Sequence, residues 1–187
     1  MLELPELETV RRDLDREVGG LKIKEIDVIG AKRLIPGQAN KTGLTKALSG
    51  RKISSVTRVG MLLCLQVGNG QSLVINLGPG GSLQRAANKD DQESDTQLII
   101  GFTQKGQLRL VDSDKSATVV LVDNEEMEEV FPEITEFGFD PVDEPISWTD
   151  FGGRLLERNT KLRPLLMDQT FVVGLGPVYN DEMIHAA

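Results

Sequence analysis

Met1-Leu2-Glu3-Leu4-Pro5-Glu6-Leu7-Glu8, continued by Thr9-Val10-Arg11-Arg12, is the stretch on which the fold turns. Pro5 suits the first turn of a helix, where a missing N–H leaves no bond unmade. Glu6 and Glu8 crowd that start, on the positive end of the helix dipole. Leu7, Val10, Leu14 and Val18 then recur at three- and four-residue steps until Gly19-Gly20 stop the run. The spacing predicts one amphipathic helix with an apolar face to bury.

Outward from that helix the pattern becomes strand-like. Residues 22–29 alternate loosely, and 61–67 are a nearly continuous apolar run that Gly68-Asn69-Gly70 turns into 73–77. Segments 97–103 and 107–112 flank a Gln104-Lys105-Gly106 turn, and 117–122 close the series. A short helix over 42–48, capped by Thr42 and stopped near Gly50, interrupts the strands. Residues 86–95 are polar and charged, as in a loop. Strands separated by Gly-rich turns predict a β-sandwich. Later the period is helical again, over 149–158, 164–173 and 179–187, with Gly174-Leu175-Gly176-Pro177 as a turn. The expected class is α+β. A helix and sandwich fill 1–123, an acidic linker 124–146, and a helical domain 147–187.

The net charge of −8 over 187 residues argues at first against a nucleic-acid partner. Its distribution changes the argument. Residues 123–144 hold ten acids and no Lys or Arg, whereas the chain before them has 17 basic and 14 acidic residues. A solvated linker is the plain reading of the acidic run, set against a DNA mimic or docking tail. The single cysteine, Cys64, lies in an apolar run and reads as core; it excludes an internal disulfide and any Cys-based zinc site. His185 reads as a surface residue. The chain has no run of about 18 apolar residues, so no membrane partner is expected; no cofactor and a cytoplasmic setting are expected besides.

Several short motifs carry a resemblance. Gly50-Arg51-Lys52-Ile53 is followed by Arg58-Val59-Gly60-Met61-Leu62-Leu63, then by Asn76-Leu77-Gly78-Pro79-Gly80-Gly81. After these come Leu108-Arg109-Leu110-Val111-Asp112 with Ser113-Asp114-Lys115-Ser116-Ala117. Last are Leu165-Leu166-Met167-Asp168-Gln169 and Gly174-Leu175-Gly176-Pro177-Val178-Tyr179-Asn180-Asp181-Glu182. Together with the opening octet, and in this order, they resemble the formamidopyrimidine-DNA glycosylases, the Fpg/Nei-type base-excision enzymes. The resemblance covers essentially the whole chain. It implies an N-terminal helix with a β-sandwich, then a helical domain carrying a partial helix–two-turn–helix.

The resemblance also implies a chemistry: a proline amine at position 2 that attacks C1′ of the damaged nucleoside, a neighbouring Glu, and a Lys on a β-turn. A Met–Arg–Phe trio fills the void left by the flipped base, an Asn grips a phosphate, and a four-Cys zinc finger follows. Here Glu3 stands at the acid position, but Leu2 occupies the nucleophile's place and Met61 the lysine's. A bulky second residue is expected to retain Met1, leaving the amine up to about 3.5 Å away, where about 1 Å already costs rate. A thioether neither carries charge nor donates a proton. Pro79, Asp114 and Ser116 stand at the void-filling positions, and Pro177 replaces the phosphate-gripping Asn. The resemblance would place the finger after Ala187, where this sequence stops, so a zincless protein is expected.

Arg58, Arg109, Lys161 and Arg163 fall in or near the family's DNA-facing motifs and are the candidate DNA contacts, with solvated surface charge as the alternative. The expected function is that of a family protein without base-excision or abasic-site lyase activity, binding DNA weakly if at all. Two alternatives remain open. One is a homodimerisation or protein-interaction module using 164–173 and 179–184. The other is an active glycosylase for oxidised purines that uses the N-terminal amine with Glu3.

Overall fold

Helix α1 (Leu4–Val18) forms with Pro5 in its first turn and Gly19 at its end. It buries Leu4, Leu7, Leu14 and Val18 and leaves Val10 half-buried. Glu8 is buried on the same face, which hydrophobic spacing alone does not anticipate. The computed structural model describes residues 2–30, 41–104 and 106–186. Met1, Lys105 in the anticipated 104–106 turn, and Ala187 lie outside them.

After β1 (Ile23–Val28) and α2 (Lys41–Leu48) come seven further strands: β2 (Ser55–Val59), β3 (Leu62–Gln66), β4 (Gln71–Asn76), β5 (Gly81–Ala86), β6 (Thr96–Phe102), β7 (Gln107–Asp112) and β8 (Thr118–Asp123). They build two antiparallel sheets, ordered β1-β6-β7-β5 and β2-β3-β4-β8. Ile26, Leu98, Ile100, Leu108 and Leu110 of the first sheet share one core with Leu63, Leu65, Leu73, Ile75 and Val119 of the second. Leu7, Leu14 and Val18 of α1 and Leu44 and Leu48 of α2 join it. The α+β class is as the sequence predicts. Strands β2 and β5 were not anticipated, since Ser55–Val59 buries an arginine and Gly81–Ala86 is mostly polar.

The acidic segment is more than a solvated connection. Its α3 (Met127–Val130) and flanking 3-10 turns, Asn124–Glu126 and Pro132–Glu136, lay Met127, Phe131 and Ile134 over Leu62, Cys64, Val74 and Val122. Glu125, Glu126, Glu128, Glu129, Glu133 and Glu136 point outward. This cover explains why 61–67 read as continuously apolar: β3 is buried on both faces.

Three helices follow: α4 (Trp148–Leu156), α5 (Leu162–Leu166) and α6 (Pro177–Ala186). Ser147 caps α4, its Oγ accepting the Asp150 N–H at 3.1 Å. A second core gathers Phe139, Leu165, Leu166, Phe171, Val172 and Leu175, with Phe151 packed against it. The helix expected over 164–173 instead stops at Leu166. Asp168 Oδ1 accepts the Thr170 N–H at 2.9 Å and the Thr170 hydroxyl at 2.8 Å, offering the backbone a turn in place of a helix. Val172 then pairs with Phe139 in a parallel bridge.

Candidate functional site

Glu3 joins the first helix to the last. Its Oε2 accepts the N–H groups of Gly176 (2.9 Å) and Tyr179 (3.1 Å), and its Oε1 that of Val178 (2.9 Å). These are donors that the start of α6 cannot satisfy within the helix, and a carboxylate suits that positive end. Pro177, between them, has no N–H to leave unpaired. Gly176 is required here, because a Cβ would sit 2.7 Å from the Glu3 carboxylate. The Leu4 N–H donates to the Gly174 carbonyl at 2.7 Å, and the Glu3 N–H to Glu6 at 3.1 Å. Glu3 is buried and both its oxygens are engaged.

Beside this clasp opens a cavity of about 220 Å³, lined by Leu2, Leu7, Met61, Asn76, Leu77, Gly78 and Pro79. Met61 arrives on the tight β2–β3 turn, where Gly60 takes φ 55° in the first central position. Pro79 arrives on the β4–β5 loop, against which the 113–117 loop folds: Gly78 packs on Ser116 and Gly80 on Asp114. The structure therefore brings Leu2, Met61, Pro79, Asp114 and Ser116 to one region next to Glu3. None of the cavity's lining residues carries an ionisable side chain.

The candidate DNA contacts fare differently. Arg58 is turned inward, its side chain 1% exposed. It pairs with Glu8 (3.3 Å), Asp140 and Asp143 (3.2 Å) and donates to the Gly60 carbonyl (2.9 Å). Three carboxylates around it answer its charge within the protein. Arg109 is likewise buried, holding the carbonyls of Asp90 and Asp91 at 2.7 Å each and so fixing the 86–95 loop. Arg163 is exposed and paired with Asp181 at 2.8 Å. Lys161 stands exposed before α5.

Sequence reasoning missed Glu8, Asp140 and Asp143. Glu8 also binds Arg11 and Arg12 at 2.8 Å each, a signal visible as i,i+3 and i,i+4 spacing. The hydrogen bond from Arg11 first, then those from Arg12 and Arg58, outweigh burial and hold its carboxyl at about 2. Burial pushes the Asp140 carboxyl up, but hydrogen bonds from Arg58 and from the Val142 and Asp143 N–H groups hold it below the usual range. Cys64 is core as expected, and burial raises its thiol to about 11. His185 is exposed. Among the described residues no group of three or more His, Cys, Asp or Glu is placed to hold a metal ion. Among them, too, no helix is long and apolar enough to cross a membrane.

The fold and this junction define a class: residues 1–119 match the formamidopyrimidine-DNA glycosylase N-terminal domain, and the chain belongs to that family. Its relatives include the formamidopyrimidine-DNA glycosylases of Pelotomaculum thermopropionicum and Heliobacterium modesticaldum. The first is 32% identical over 187 residues, all of this chain and 67% of the relative. The second is 35% identical over 192 residues, all of this chain and 68% of the relative. Among solved structures, the Lactococcus lactis Fpg in complex with abasic-site DNA superposes with a TM-score of 0.84 at 31% identity, covering 97% of this chain and 65% of that one. The same enzyme bound to DNA containing FAPY-dG gives 0.84 at 31% identity, with 97% and 67% covered. The chain thus spans about two thirds of the length of the proteins it matches.

Proposed function

We propose that this chain is a DNA-repair glycosylase-family protein without base-excision or abasic-site lyase chemistry, and that its action on DNA is weak, non-catalytic binding. The observation that carries the reading is the apolar cavity. Where the family's chemistry calls for an amine and a lysine, Leu2 and Met61 line a space with no ionisable side chain. Glu3 supports the same reading, since its carboxylate is committed to three backbone N–H groups. A general base must be free to reach the proton it takes.

Borohydride trapping on duplexes carrying an abasic site or 8-oxoguanine tests the chemistry. No covalent adduct is expected. An adduct formed at the rate of an active relative overturns the proposal in favour of an enzyme using its N-terminal amine with Glu3. A salt series tests the binding: phosphate contacts predict a log–log slope of about −0.9 per phosphate neutralised. Absence of binding at low salt removes DNA from the reading.

In that event a protein-interaction role takes its place, for which exposed apolar groups speak. Trp148 is 86% and Leu156 90% exposed, with Val178, Met183 and Ile184 exposed on α6. Sedimentation at micromolar concentration separates the cases, because a strict monomer counts against a homodimer.

A further inference from the structure

Arg154, in the last turn of α4, and Arg158, just past its end, line a pocket of about 230 Å³ with Gly138, Glu157, Thr170 and Phe171. Each guanidinium is held over a ring of the second core: Arg154 lies 5.1 Å from the Phe139 centroid, and Arg158 6.0 Å from that of Phe171. Each ring supports its guanidinium by a cation–π contact without using up its N–H donors. Among the described residues neither arginine forms an ion pair, in a chain with 29 acids to 21 bases.

Asp168 is near enough to Arg158 to feel its charge, but its Oδ1 is engaged by the Thr170 N–H and hydroxyl. Glu157 shares the lining, so two cations and one anion leave the pocket net positive. Two like charges lining one pocket repel each other. An oxyanion between them relieves that repulsion and accepts from both forks, the geometry for which guanidinium suits phosphate.

We infer that Arg154 and Arg158 form a phosphate-binding subsite, taking a phosphoryl group either free or as part of a nucleic-acid backbone. The site thereby adds two cations without an acid partner among the described residues, whereas Arg58 and Arg109 are buried and engaged within the protein. It stands apart from the question of catalysis. Only its nucleic-acid arm rests on the DNA-binding part of the reading above.

The test follows Trp148, the chain's only tryptophan and the first residue of α4, by fluorescence during titration with inorganic phosphate at constant ionic strength, with chloride as the control. Saturable binding in the millimolar range is expected for the wild-type chain. R154Q/R158Q is expected to weaken it about tenfold or more. R154K/R158K keeps the charge and loses the fork, and is expected to fall between the two. Circular dichroism checks that both variants fold.

In a parallel duplex-DNA salt series, the glutamine variant lowers the log–log slope by about one to two phosphate equivalents. Phosphate binding without DNA binding assigns the site to free phosphate and fails only the DNA-binding reading. No saturable phosphate response, an equal response to chloride, or wild-type affinity in folded R154Q/R158Q overturns the subsite.

Discussion

Glu3 stands at the start of two helices, and its geometry sets what a substitution there does. The side chain accepts three N–H groups from the head of α6 while its own N–H donates to Glu6. In Glu3→Gln the amide keeps the shape but turns one acceptor into a donor facing N–H groups, and removes the negative charge from the helix end. A loss of about 1–3 kcal/mol is expected, read by urea denaturation with an unchanged m-value. Gly176→Ala presses a methyl group to within 2.7 Å of the same carboxylate and is expected to destabilise in the same range. If both variants keep wild-type stability, the clasp contributes nothing. The octet announces a carboxylate near a helix start; it gives no sign that the carboxylate also caps a helix more than 170 residues later.

At the scale of elements, the acidic segment acts as a cover. Phe131, Met127 and Ile134 shield Cys64, whose thiol burial raises to about 11. Phe131→Ala is expected to cost about 1–2 kcal/mol, less than the full core value because the ring is only half-buried. It is also expected to speed labelling of Cys64 by a disulfide reagent at pH 8. Unchanged labelling with lowered stability would mean that the segment does not open separately from the sheet.

The same element shows where the sequence could be read and where it could not. Regular strands and α1 were legible because their apolar period is strong. The acidic segment's docking was hidden because Met127, Phe131 and Ile134, although spaced i, i+4 and i+7, stand among ten acids that read as a solvated run. Strand β2 was hidden because one of its two inward positions is Arg58, whose partners lie on α1 and beyond residue 139. In the candidate site, the substitutions at Leu2, Met61 and Pro79 were visible one by one. That they line a single cavity depends on how two turns and α1 meet, which no local pattern encodes. Arg154 and Arg158 were overlooked because their distinguishing feature, the lack of an acid partner, exists only in three dimensions.

The whole molecule is tied by one charge cluster, in which Arg11, Arg12 and Arg58 face Glu8, Asp140 and Asp143. It links α1, β2 and the segment leading to α4, so its protonation reports on the assembly of the chain. Glu8 falls from an ordinary 4.5 to about 2, with the Arg11 hydrogen bond as the largest cause, and Asp140 moves in the same direction. A depressed carboxyl contributes stability that is fully present above its unfolded value. Protonation removes that contribution as pH falls from about 4.5 towards 2. Glu8 alone accounts for up to about 3 kcal/mol of this loss. Urea unfolding from pH 7 to pH 2.5 is expected to show a plateau above pH 5 and a steep fall below pH 4.5. Glu8→Gln lowers the plateau and flattens the fall, because the group that titrates is gone while its three arginines remain. Arg58→Ala is more damaging at pH 7, by about 3–5 kcal/mol, since it strands the part-buried Asp140 without its cation, while Glu8 keeps Arg11 and Arg12. Its deficit shrinks as the pH falls and the stranded Asp140 carboxyl becomes neutral. An acid limb with the same slope in wild type and Glu8→Gln would remove this cluster as the source of acid sensitivity.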